Sequence, residues 1–258
     1  MELPLIPVEQ FQSFLVCLAR VGALIGALPV FSGGQTPMQL RVGLAVTVSL
    51  LVYPVVAPYI PAQSFHPVSL AVLVTGETLF GVLVAIIARL IFTAAEFGGT
   101  IIGFQMGFAA ANVFDPQNQR QIALISQLQN VFAILVFLAL DIHHLFLRAI
   151  VASYELLPPG GVDFSGEAVP YLMTLVSGMF VLAVKFSAPI LAVLLLSSFV
   201  LGILSRVFPQ LNVFMLSFPI NIGLSLIVMG LTLNVLVTML GREFNALSDR
   251  FMQLFELL

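Results

Sequence analysis

Six times along this chain a mostly apolar run, poor in charge and bounded by polar or turn residues, is long enough to cross a bilayer. The runs cover about 11–31, 42–59, 68–95, 122–147, 171–204 and 213–240. A helix needs roughly 20 such residues to span the hydrocarbon core. The fourth run is apolar as far as Leu140 and polar after it. Only 8% of the 258 residues are charged and 60% are hydrophobic, whereas a soluble domain carries about 25% charged residues. That shortage of polar surface excludes a soluble enzyme, a nucleic-acid binder and a disordered linker. The ten-residue alternation of a membrane β-barrel is missing. The sequence predicts an all-α, polytopic integral membrane protein, a single membrane-embedded domain over 1–258.

Other totals fit that class. Nine Lys and Arg against twelve Asp and Glu give a net charge of −3, with no basic surface for phosphate backbones. The single cysteine, Cys17, excludes an intrachain disulfide and a cysteine-based metal cluster. The start, MELPLIPVEQ, lacks the positive region of a cleavable signal, so the first apolar run is expected to be retained. With six spans, Arg148, Arg242 and Arg250 fall on one side and Arg41, Arg120 and Arg206 on the other, so the positive-inside rule gives no orientation. Trp is absent, Tyr numbers four and Phe 23. Phe has no polar tip for the headgroup region, so it marks packing. Together these two features point to helices that mostly face other proteins.

Ionisable groups inside apolar runs are costly in a membrane and are functional candidates by default. Arg20, Glu77, Arg89 and Lys185 are four such groups, read as buried charges that pair and fix helix packing. Glu77 and Arg89 lie off-register on one helix, whereas Arg89 and Glu96 share a face. Four scattered residues, three of them cationic, do not make a proton relay. Asp141, His144 and Arg148 stand on one face of a continuous helix, with His143 pointing elsewhere, and read as that helix's wet end without a metal.

Two segments are unusual. The run GGTIIGFQMGFAAANVFDPQNQRQ spaces Gly99, Gly103 and Gly107 as small-xxx-small steps, then turns at Asp115-Pro116 into an amide-rich stretch. Glu96 to Gln121 reads as a long connection rather than helix. Gly and Ala with bulky tips at Met106, Phe108 and Phe114 suit a lid or plug over 103–117, and equally a plain re-entrant loop. The run SRVFPQLNVFMLSFPINIG at 205–223 reads as a bent hairpin. Pro209 and Pro219 bracket Gln210 and Asn212, with Arg206 just before, and Pro219 is expected to kink or interrupt the sixth helix. Pro189 is expected to break the fifth helix, and the tail 241–258 reads as an amphipathic helix lying on a partner or on the membrane interface.

GFQMGFAAANVFDPQ at 103–117, followed by SRVFPQLNVFMLSFPINIG at 205–223, resembles the FliR family of flagellar biosynthesis proteins, called SctT in type III secretion injectisomes. PVFSGGQTPMQLRVGLA at 29–45 resembles the same family's first connection. The resemblance covers nearly the whole chain. It implies a core subunit of a helical, hetero-oligomeric export gate made with FliP and FliQ, wrapped by FlhB and working with FlhA. The gate would sit in the bacterial inner membrane at the flagellar basal body and pass unfolded proteins. It implies a plug over Gly103–Gln117, with Gly103, Met106, Gly107, Phe108, Phe114, Asp115, Pro116 and Gln117 as plug or gate residues. Arg206, Pro209, Gln210, Asn212 and Pro219 are then expected at subunit contacts. No cofactor is implied.

Two other classes stay open. An ion-coupled secondary transporter would carry paired broken helices around a midplane site, and Pro54 and Pro189 give that reading its support. A poreless membrane scaffold is the other. An enzyme is disfavoured, because the sequence offers no nucleophile–base pair, metal cluster or phosphate loop.

Overall fold

A computed structural model describes residues 7–32, 36–61, 64–107, 120–162, 166–210 and 212–258. The described residues hold nine α-helices and one 3₁₀ turn, and no strand. The helices are α1 (Val8–Ala27), α2 (Pro29–Ser32), α3 (Met38–Val56), α4 (Pro67–Gln105), α5 (Arg120–Ala139), α6 (Ile142–Leu156), α7 (Ala168–Val207), α8 (Val213–Asn245) and α9 (Leu247–Leu257). Prolines set several boundaries. Leu28 is held extended (φ −68, ψ 130) by the Pro29 ring that follows it, which stops α1. Pro7 and Pro37 stand immediately before α1 and α3. Five helices are long and apolar enough to cross a membrane, and the bent pair α5–α6 makes a sixth if it counts as one span.

The chain divides into two compact units. The first comprises 1–90, 141–175 and 245–258, and the second 91–140 and 176–244. In the first unit α1 packs on α3, with the Phe14 ring edge-on to Tyr53 at 5.8 Å. The first part of α4, α6 and α9 complete it. The C-terminal tail corrects the expectation that it lies on a partner or the membrane. Helix α9 buries Leu247, Phe251, Leu254 and Phe255 within its own unit. Phe255 packs on Phe80 of α4 at 5.6 Å, and Phe251 on Phe146 of α6 at 5.3 Å. An apolar stripe one helix-face wide is satisfied wherever it finds a matching surface, and the chain supplies one.

In the second unit Phe92, Phe137 and Phe244 form a triangle with ring centroids 5.3–5.6 Å apart. In the same unit Ile102, Met106, Ile125, Ile190, Leu194 and Met229 form a buried cluster from the end of α4 and from α5, α7 and α8.

Three further expectations are corrected. The glycine-rich stretch after Glu96 is helical as far as Gln105, because its glycines are contact points. A Cβ on Gly99 would sit 2.6 Å from Ser126 Cα and 2.9 Å from the Ile125 carbonyl oxygen of α5. Close backbone contact offsets the ~1 kcal/mol that glycine costs a helix. The run 122–147 is two helices, not one, broken at Leu140 and Asp141, where Asp141 takes the left-handed φ of 53. Asp tolerates that conformation better than most residues do. Third, neither Pro189 nor Pro219 interrupts its helix, α7 or α8. Each removes one backbone donor without ending its helix, since neighbouring groups in a bundle can satisfy the freed carbonyl.

Candidate functional site

The best-formed polar site lies in the first unit. Arg20 of α1 and Glu77 of α4 are both 1% exposed, with Arg20 Nε donating to Glu77 Oε2 at 2.5 Å. The other two guanidinium nitrogens donate to Ser153 Oγ at 2.9 Å and to the Leu157 carbonyl at 3.1 Å, tying in α6 and the turn after it. Phe80 and Tyr154 lie on the guanidinium at 4.5 and 4.0 Å, within the range of cation–π attraction. A buried arginine survives only when its charge and all its donors find partners, and here each nitrogen does. Gly81 makes this possible. A Cβ there would lie 2.4 Å from the Arg20 carbonyl oxygen, so α1 and α4 meet backbone to backbone at the residue that carries the cation.

Such a hub can lock helices but cannot relay protons, because the carboxylate is already committed to a guanidinium. Beside it α4 and the turn at Gly160 border a cavity of about 470 Å³, with Glu77, Ser69 and Gly76 in its lining. The other two charges expected to be buried in the assembly are not buried by this chain itself. Arg89 and Lys185 lie exposed on the surface of the chain, because the buried sides of α4 and α7 carry Ala88, Ile91, Ala183 and Phe186 instead.

In the second unit the two segments singled out in the sequence come together. Gly103 is buried in α4, and Met106 is 1% exposed in the apolar cluster. Gly107 ends the helix with φ +97, and the Phe218 ring fills the space beside it. A Cβ would lie 2.6 Å from Phe218 Cε1. Only glycine meets both demands at once, the left-handed backbone and the missing side chain. Phe108, Phe114, Asp115, Pro116 and Gln117, the rest of the expected plug, lie outside the described residues.

Around the 205–223 hairpin, Arg206, Pro209, Gln210, Asn212 and Pro219 are exposed. Asn212 has a role within the chain, since its Oδ1 accepts from the Met215 N–H at 3.2 Å and caps α8. Sequence reasoning missed two buried polar features of this unit. Ser197 Oγ donates to Asn221 Oδ1 at 2.9 Å, joining α7 to α8. Gln129 is fully buried with its carboxamide unpartnered among the described residues. Asn221 and Gln129 each interrupt an apolar run, which is the signal that was available.

Asp141, His143 and His144 are the only trio among the described residues whose ligand atoms could hold a metal, all lying within 4.8 Å of one another. His143 Nε2 lies 3.9 Å from Asp141 Oδ1 and the His143 and His144 rings lie 4.2 Å apart, tilted by 38°, so His143 does not point elsewhere as expected.

Long apolar helices closed on glycine contacts, with a buried ion pair and helix-internal prolines, define a polytopic all-α membrane protein. The sequence profile of the bacterial export proteins, family 1, matches residues 11–247, and the chain belongs to that family. The chain is 30% identical to the flagellar biosynthetic protein FliR of Bacillus subtilis (strain 168), over 92% of each chain. It is 28% identical to FliR of Escherichia coli (strain K12), over 90% of each. It is 31% identical to the Yop proteins translocation protein T of Yersinia pestis, over 81% of each.

Proposed function

We propose that this chain is the FliR-type subunit of a flagellar type III export gate, in the inner membrane at the flagellar basal body. It assembles with FliP and FliQ, contacts FlhB and works alongside FlhA to pass unfolded flagellar proteins. The observation that carries this reading is similarity to FliR proteins along nearly the whole chain, from organisms as distant as Bacillus subtilis and Escherichia coli. The many apolar side chains left exposed on α7 and α8, Phe199, Ile203, Met215 and Leu231 among them, are what a subunit buried in a larger assembly would carry.

The gate itself is the segment 103–117. Apolar Phe side chains at a constriction exclude water and ions, and Gly107 on Phe218, next to the buried Met106, is the fixed end from which the segment departs. Arg206, Pro209 and Gln210 make subunit contacts in this reading, and their exposure at the α7–α8 turn leaves them available for that.

The test is co-expression with the neighbouring membrane-protein genes, followed by native mass of the purified complex. A hetero-oligomer with one copy of this chain and several of two smaller proteins is expected. A monomer or homodimer would overturn the reading. In assembled complexes, Phe108→Ala or Phe114→Ala should raise ion leak, and an unchanged leak would remove the plug from the mechanism. The likeness to the Yersinia protein favours one alternative, an injectisome subunit. Restoration of motility in a strain lacking its own FliR, without restoration of injectisome secretion, separates the two.

A further inference from the structure

The unpartnered carboxamide of Gln129 lies in the second unit, where three helices converge on Gly98. A Cβ on Gly98 would sit 3.4 Å from Gln129 Oε1 and 3.0 Å from the Ala183 carbonyl oxygen of α7. Gln129 is 0% exposed, and neither its oxygen nor its nitrogen has a hydrogen-bond partner among the described residues. It lines a cavity of about 20 Å³ together with Lys185, Pro189, Met229 and Thr232, room for about one water molecule. Proline at 189 deprives the Lys185 carbonyl of its usual donor four residues on. The Thr232 hydroxyl already donates to the Val228 carbonyl at 2.8 Å, which leaves its oxygen as an acceptor.

We propose that this notch is a built water site. One ordered water accepts from Gln129 Nε2 and donates to two of the three acceptors around it: Gln129 Oε1, the Lys185 carbonyl and Thr232 Oγ1. A buried water with three such bonds meets the usual condition for occupancy. Proline-containing membrane helices are tolerated where ordered water re-satisfies the freed carbonyl. The water therefore explains two oddities together, an orphan amide in α5 and a proline inside an unbroken α7. It also makes Pro189 the compliant point of α7, because a hydrogen bond through water stretches more easily than a direct one.

The test is a double-mutant cycle on the membrane complex, read by thermal unfolding. Gln129→Met keeps the volume and removes the polar group. With water bound, it should lower the unfolding midpoint by about 2–8 °C, since the water loses its anchor. An unchanged or raised midpoint would mean that the amide is a dry orphan, and would overturn the proposal. Pro189→Ala restores the donor to the Lys185 carbonyl, so in that background Gln129→Met should cost half as much or less. Strictly additive shifts would overturn the bridge. Should Gln129→Met fail to assemble, a high-resolution map of the wild-type complex decides. Water density within hydrogen-bond distance of the Gln129 carboxamide supports the site, and a dry carboxamide or a neighbouring chain's side chain there overturns it.

Discussion

Gly81 and Gly99 do the same work in the two units. Each brings α4 against another helix, α1 or α5, so closely that a single Cβ would overlap backbone atoms at 2.4 or 2.6 Å. What differs is the polar content next to the contact. In the first unit the glycine stands beside Arg20, whose three nitrogens are all bonded to other groups of the same unit. In the second, the adjoining glycine, Gly98, faces Gln129, whose carboxamide has no protein partner among the described residues. Close helix contact thus serves a locked ion pair in one place and a soft, hydratable notch in the other. In lipid, helices gain little hydrophobic free energy from one another. The polar groups between them consequently decide which contacts are rigid and which can yield.

The largest expected effect comes from closing the glycine contacts. Gly99→Leu and Gly81→Leu should each abolish recovery of monodisperse protein on size exclusion after extraction from the membrane, because the obstructing atoms are backbone. Survival of Gly81→Leu alone would show that the hub tolerates separation of α1 and α4, and the symmetry between the units would fail. Next comes the ion pair. Glu77→Leu strands a buried guanidinium and should destabilise by about 3–5 kcal/mol. Arg20→Met combined with Glu77→Leu should recover most of that loss. If the double variant is no better than the single one, the partners Ser153 and Leu157 matter more than the charge pairing, and thermal unfolding of the three variants reads this directly.

The spans were legible because a long apolar run reads as a membrane helix whatever it packs against. The glycine-rich end of α4 reads in sequence as a connection, although small-xxx-small spacing already marks Gly99 as a close-contact residue. Its real function, clearance for Ser126, depends on a residue 27 positions away. The break before α6 was hidden because Asp-Ile-His-His continues a helical pattern on paper, while a single left-handed residue at Asp141 interrupts it. Arg20 and Glu77 were each recognisable as costly, but their pairing across 57 residues is a tertiary fact. The same holds for Gly107 on Phe218, which joins the two segments that stood out in the sequence for unrelated reasons.

A smaller effect tests whether the second unit is soft throughout. Ser197→Ala removes the donor to Asn221 and leaves a buried amide oxygen unpaired, a cost of about 1–3 kcal/mol. If α7 and α8 are held mainly by the apolar cluster around Leu194 and Met229, the loss should fall at the lower end. A loss rivalling that of Glu77→Leu would mean that this unit too is locked by a polar bond, and the contrast with the first unit would disappear.

The smallest effect concerns Asn212, which the sequence placed at a subunit contact and the structure places at the head of α8. Its Oδ1 caps the Met215 N–H, a contribution of about 1 kcal/mol. Asn212→Ala should lower the unfolding midpoint of the chain by about 2–4 °C, while Asn212→Asp and Asn212→Ser, which keep an accepting oxygen, should leave it nearly unchanged. Capping and subunit contact then separate cleanly. A cap responds to the loss of the acceptor and not to its identity, so Asp and Ser rescue. A specific contact with a neighbouring chain responds to charge and shape, so Asp would fail in co-purification even where the midpoint is preserved. If Asp and Ser both keep the midpoint but lose the partner proteins, the exposed turn between α7 and α8 is an interface and the cap is incidental to it.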